Sequence, residues 1–378
     1  MPAFANVLRM IDEWVADGTV PGAAAAVWHR GEIVATHHVG EAQPGIPVTD
    51  DTLFALASVS KPFTATALVR RVEAGDLTLD TPVAEILPEF AETDDPFADG
   101  VIPQLEAQRD AITVRQILSH TAGLPENPSA VRLRMHEQPS LGELLDRMVG
   151  TPLQDIPGDV LRYTNVGPTI AARVVERVTG EDFHTILARE VLTPRGLTGV
   201  VPRPGDAFAT RIAHVMDASA PGTPTESYNS RYWRNVGIPW GGFFGTPADV
   251  VHFAASFLPD RGDAAQLDPA LAAEMIIDQT GGVAGGVNSL RVHWEHGAWG
   301  LGWEVKGEKT GHWTGTLTSP RTFCHWGQAG TLVWADPDRD LGLAVFANRS
   351  VAKRLWPLRP ARWSDLSDAV IRAAESAD

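Results

Sequence analysis

The 378-residue chain has one cysteine, Cys324, only three tyrosines, and no apolar run of membrane-spanning length. A lone thiol excludes an internal disulfide and any multi-thiolate metal site, and a reducing, cytoplasmic setting is the expectation. The apolar runs, Ala23 to Trp28 and Gly342 to Ala347, fall far short of the ~20 residues that a spanning helix needs. Positive charge is in deficit: 31 Lys and Arg against 47 Asp and Glu give a formal net charge of −16. A field of that sign repels phosphate backbones and anionic lipid, so no nucleic acid and no membrane is expected as a partner. The opening segment, with Asp12, Glu13 and Asp17, has the pattern of an amphipathic helix and lacks the basic, apolar and cleavage regions of a signal peptide. Neither an H-E-x-x-H motif nor clustered Cys/His ligands occur, so no metal and no cofactor is expected. No serine sits in a G-x-S-x-G elbow, which argues against an alpha/beta-hydrolase.

What remains is an ordinary globular composition, 44% hydrophobic and 21% charged, in a chain long enough for about two or three domains. Val20-Pro21-Gly22 is a turn signal, and the runs Gly22 to Trp28 and Glu32 to Val39 flank a second turn, as in a hairpin. Residues 60–74 place Phe63, Ala67, Leu68 and Val72 on one helical face, with Gly75 just beyond the end. Residues 76–112 have the composition of loops with short turns. Helical spacing then dominates Val114 to Ser119, Leu141 to Met148, Pro168 to Thr179 and Phe183 to Val191, and Ala218 to Ser230 is the least regular stretch. Thr331 to Ala335 and Leu341 to Ala347 are predicted strands, and Trp363 to Ala377 a closing helix. Strands at both ends predict an α/β sheet domain from residues 1–78 and 245–378, with a mainly helical domain of long loops, residues 79–244, inserted in it.

Three short patterns could carry chemistry. In Ser58-Val59-Ser60-Lys61, at the start of the predicted helix, Ser58 and Lys61 are three apart and share a face. A serine nucleophile needs a base, and a lysine serves only when neutral, with its pKa brought from about 10.4 toward 7 by burial. The helix N-terminus would favour an oxyanion forming beside Ser58. The same spacing also suits a capping serine followed by a surface lysine. The second pattern is Tyr163-Thr164-Asn165, in a loop entering a helix. A phenol beside an ammonium gives up its proton more easily, and Asn165 offers both donor and acceptor to a substrate; packing by Tyr163 and capping by Asn165 are the structural alternatives. The third is His325-Trp326-Gly327, where a glycine lets a ligand approach strand backbone whose N–H groups can meet an oxyanion.

Taken together, the three patterns resemble those of the serine beta-lactamase and penicillin-binding protein superfamily, most closely its beta-lactamase-like esterase branch, the family VIII carboxylesterases. The resemblance extends to Leu118-Ser119-His120-Thr121-Ala122-Gly123-Leu124, with Ala122 where serine is usual. It also takes in Trp240 to Thr246 with Asp249, Leu301-Gly302-Trp303, and Leu341 to Arg349, so it spans roughly residues 20 to 350. It implies a beta-lactamase/transpeptidase-like fold, an antiparallel sheet flanked by helices with an inserted helical domain. It further implies Ser58 as the acylated nucleophile, Lys61 and Tyr163 sharing the proton work, and an oxyanion hole from the backbone N–H groups of Ser58 and Gln328. Asn165, His325, Trp326, Gly327 and Trp240 are the substrate-binding candidates. The family's strand motif often carries lysine where this chain has His325. Lys309-Thr310-Gly311 is set aside as a loop, because the strand pair follows His325. A histidine, mostly neutral at pH 7, holds a substrate carboxylate weakly and suits uncharged esters.

The leading expectation is therefore a serine esterase acting on a small-molecule ester or amide. An amidase or D-aminopeptidase, a beta-lactam hydrolase and an acyltransferase would use the same groups, and a silent ligand-binding homologue is the non-enzymatic alternative, disfavoured by the intact Ser58, Lys61 and Tyr163. Trp233, Trp240, Trp299 and Trp326 are candidates for lining an acyl or aromatic pocket. Acyl chain length, stereopreference and oligomeric state are left open.

Overall fold

Two apolar segments from opposite ends of the chain, Gly22–His29 and Leu341–Ala347, pair antiparallel, with Ala23 opposite Ala347 and Val27 opposite Leu343. Both are buried along their whole length, the pattern of strands covered on both faces. In the computed structural model, which describes residues 2–92, 102–129, 133–259, 267–351 and 360–376, these strands are the centre of an antiparallel sheet. Six of its strands run in the order Phe323–Gly327, Thr331–Asp336, Leu341–Ala347, Gly22–His29, Glu32–Gln43, Ile46–Pro47. Helix Pro247–Ala255 covers one face, where a Cβ on Gly342 would touch Val251. Helix Pro360–Glu375 covers the other, where Trp334 Nε1 donates to Ser367 Oγ at 2.9 Å. Trp334 and Gly342 fall on opposite faces because Gly342 pairs with Ala335, one residue along the pleat. The amphipathic N-terminus forms two short helices, Pro2–Leu8 and Met10–Ala16, and the first of them packs on the closing helix.

The chain divides into two compact units. One comprises Met1–Ser60, Arg195–Asp263 and Glu308–Asp378, and the other Lys61–Pro194 and Ala264–Gly307. The division falls elsewhere than the boundaries at 78/79 and 244/245 that the sequence pattern suggests, and strand pairing gives the reason. Residues 195–244 contribute Val200–Val201 to a small sheet with Phe244–Gly245 and Phe54–Ala55, which ties them to the first unit. Residues 264–307 contribute Gly285–Val287, which pairs with Leu161–Arg162 and with Val292–Trp294 in the second.

The second unit is mainly helical. Val166–Thr179 is its buried axis, packed on Leu141–Val149 and Val114–Leu118. Capping boxes at Ser140/Glu143 and Thr113/Gln116 start the latter two helices, satisfying first-turn N–H groups. The 76–112 segment, with the composition of loops, contains the short helices Val83–Ile86, Pro88–Ala91 and Pro103–Glu106. The helix predicted over Phe183 to Val191 is α only to Leu187 and continues as a π turn, Ala188–Leu192. Among the described residues, no helix is long and apolar enough to cross a membrane.

Candidate active site

Ser58 lies in a 3-10 turn, Ala57–Val59, that runs directly into helix Ser60–Glu73. From Thr52 to Val69 it is the one residue that is not buried. Ala57 before it holds φ +47, a left-handed conformation that non-glycine residues avoid and that is found preferentially at functional sites. The surroundings over-determine this turn. The Leu56 N–H donates to the Phe243 carbonyl at 2.8 Å, the Phe243 N–H donates to Ser60 Oγ at 3.1 Å, and Thr331 Oγ1 donates to the Leu56 carbonyl at 3.0 Å. Beneath it, Ala55, Ala57, Phe244, Tyr228 and Ala329 form an apolar floor.

The strand Phe323–Gly327 presses against the same turn. A Cβ on Gly327 would stand 2.2 Å from the Leu56 carbonyl oxygen, so glycine is required by close approach. The Gln328 N–H, next in the chain, finds no acceptor among the described residues. His325 is fully buried, and its Nδ1 lies 2.9 Å from the Trp326 carbonyl. A carbonyl only accepts, so Nδ1 carries the proton. Strand alternation turns Trp326 to the face opposite Gly327, where it packs on Trp313 with centroids 5.6 Å apart. Trp240 is half-buried, beside a Gly241 whose Cβ position lies 3.6 Å from the Ala57 carbonyl carbon. Trp233 packs edge-on against Tyr228. Lys309 lies outside any strand or helix.

In the second unit, Lys61 is 1% exposed, which removes the surface-lysine reading. Burial pushes its amine well below the ordinary lysine value, against the pull of the Glu126 carboxylate. Its Nζ stands 4.7 Å from the centre of the Tyr163 ring. That ring lies against Trp299 at 5.5 Å and His120 at 4.9 Å. The segment carrying it is held on both sides. On one side the Tyr163 N–H donates to the Gly286 carbonyl at 3.0 Å. On the other, the 120–126 stretch receives Arg162 N–H, Thr164 N–H and Asn165 N–H. Asn165 opens helix Val166–Thr179 without capping it, and its Nδ2 donates to Asn127 Oδ1 at 2.6 Å.

The structure thus brings Lys61 and Tyr163 together in one unit, and gathers the Ser58 turn, Gly241 and Gly327 in the other. Reasoning on the three patterns missed Glu126 and the part His120 plays. Glu126 acts through space and leaves no trace in spacing. His120 was visible only inside the Leu118 to Leu124 resemblance.

An antiparallel sheet covered by helices, with a half-buried serine on a left-handed turn and, one helical turn along, a buried lysine whose pKa is pushed down, has the features of the serine hydrolase class built on the beta-lactamase/transpeptidase-like fold. The chain belongs to the beta-lactamase family, whose profile matches residues 7–364. Penicillin-binding protein 4 of Amycolatopsis lactamdurans is 32% identical over 291 residues, 75% of this chain and 71% of that protein. Esterase EstB of Burkholderia gladioli is 30% identical over 303 residues, 70% of this chain and 74% of that one. A solved family VIII carboxylesterase shares the fold, with a TM-score of 0.77 over 99% of this chain and 98% of its own, at 22% identity.

Proposed function

We propose that this protein hydrolyses small-molecule carboxylic esters through an acyl-enzyme on Ser58. The observation that carries the reading is Lys61, a water-stripped amine held toward its neutral form within 4.7 Å of the Tyr163 ring. The neutral amine takes the Ser58 Oγ proton as Oγ bonds to the substrate carbonyl carbon. The oxygen that becomes negative is met by the N–H groups of Ser58 and Gln328. The carbon–oxygen bond to the alcohol then breaks, and the alcohol leaves with a proton passed through Tyr163. Water attacks the acyl-enzyme by the reverse sequence and restores Ser58. His325 in place of a lysine supports esters without a carboxylate near the reacting carbonyl. The likeness to esterase EstB supports the same class, whereas the likeness to penicillin-binding protein 4 is the ground for the amide and beta-lactam alternatives.

Two experiments test this. Incubation with a fluorophosphonate probe is expected to add one phosphonyl group (the probe mass less HF, as fluoride leaves) to the wild type and none to a folded Ser58→Ala variant; labelling of that variant places the nucleophile elsewhere. Steady-state rates on p-nitrophenyl esters of graded chain length, beside nitrocefin and D-alanyl amides, are expected to favour the esters. Faster turnover of the amides or of nitrocefin makes the peptidase or lactamase reading the correct one. A dominant transfer product when an alcohol or amine is added makes the protein an acyltransferase.

A further inference from the structure

We infer that His120 is a positioning residue for Tyr163, working as a neutral imidazole that holds the peptides immediately before and after the tyrosine; this rests on the role proposed for Tyr163. His120 is buried and holds φ +61, a left-handed conformation uncommon for a residue with a Cβ. That conformation lets a single residue act twice. Its carbonyl accepts the Arg162 N–H at 2.9 Å, and its ring Nδ1 accepts the Thr164 N–H at 3.1 Å. In extended chain successive N–H groups alternate sides, so the peptides before and after Tyr163 face His120 while Tyr163 itself bonds to Gly286 opposite. A peptide N–H only donates, so Nδ1 must be bare and Nε2 must carry the proton. The same ring limits the phenol's swing: it lies 4.9 Å from the Tyr163 ring and meets Trp299 edge-on at 4.7 Å. Tyr163 is thereby fixed in backbone and in ring, while Lys61 stands over its face.

Separate substitutions remove the two contacts. His120→Phe keeps a ring and loses the acceptor. His120→Asn keeps an acceptor near the Nδ1 position and tolerates the left-handed backbone, but loses the ring. On an ester turned over by the wild type, His120→Phe is expected to lower kcat about tenfold or more while KM moves by less than about twofold. His120→Asn is expected to recover most of the loss. The decisive reading is the cycle with Tyr163→Phe: once the phenol hydroxyl is gone its placement no longer matters, so the double variant should be no slower than Tyr163→Phe alone, within about twofold. Losses that multiply instead would overturn the inference and leave the role of Tyr163 standing. A Tyr163→Phe variant as fast as the wild type would remove that role and the inference with it. Should His120→Phe fail to fold, two-bond nitrogen–proton correlation on the 15N-labelled wild type, with His120→Asn to assign the signals, reads the tautomer directly. A protonated Nδ1 in that spectrum is incompatible with the clamp.

Discussion

Lys61 is a long side chain whose burial works against its charge. Stripping an ammonium of water disfavours the charged form, and the desolvation outweighs the opposing pull of the Glu126 carboxylate. The consequence for stability has a definite sign. Between the depressed folded value and about 10.4, the unfolded chain binds more protons than the folded one, so this residue makes stability rise with pH across that window. Lys61→Met fills the same space without a titratable group. It is expected to lower ester turnover at least about 1,000-fold while raising the melting temperature at pH 7, the stability–activity trade-off of a working site. The gain should shrink as pH climbs; thermal melts from pH 6 to 10 measure it, and an equal or lower melting temperature at pH 7 contradicts the burial argument. Glu126 raises the lysine's affinity for its proton, so Glu126→Gln should move the acidic limb of the kcat/KM profile to lower pH. The glutamine can still accept the Ser289 N–H that Glu126 Oε2 receives at 2.9 Å. A limb that stays in place would assign it to another group.

At the scale of elements, the site depends on a strand being able to touch a turn. An alanine Cβ at position 327 would stand 2.2 Å from the Leu56 carbonyl and 2.3 Å from Thr331 Oγ1, neither of which is the free end of a flexible side chain. Gly327→Ala therefore has to move backbone at the residue two before Ser58. The expected cost is about 1–3 kcal/mol in a urea titration and about 100-fold or more in kcat/KM; unchanged kinetics would mean that the turn tolerates the shift. This close approach was legible as a glycine in a three-residue pattern, but its partner was not, because Leu56 and Gly327 are far apart in sequence. The same contrast runs through the fold. The hairpin from Gly22 and the strand pair from Thr331 announce themselves as apolar runs bounded by turns, and the helix from Ser60 by its helical spacing. Strands of two residues such as Phe54–Ala55 and Val200–Val201 have no period, and they are what decides where the units divide. Arg109 shows a further limit. Nothing local predicts that a charged residue in a loop-like stretch is fully buried, with its guanidinium on the Val149 and Thr151 carbonyls at 2.7 and 2.9 Å and on Glu106 at 3.1 Å.

For the molecule as a whole, the relevant quantity is the charge of −16, which says nothing about fold and something definite about approach. An anionic substrate diffuses toward this protein against a long-range repulsion, and salt removes that repulsion by shortening the screening length from about 30 Å at 0.01 M to about 8 Å at 0.15 M. A neutral ester feels neither. Two p-nitrophenyl esters of matched length, one carrying a distal carboxylate, therefore separate the global field from any local recognition of an acid. The expected outcome is that kcat/KM for the anionic ester rises by about two- to tenfold over that salt range while the neutral one stays flat. That is the outcome expected from the proposed preference for uncharged esters. If instead the anionic ester is the better substrate at low salt and loses rate as salt is added, a cationic pocket must be overriding a net field of the opposite sign. Substrates bearing a carboxylate next to the scissile bond, as peptides and penicillins do, would then displace uncharged esters as the natural class.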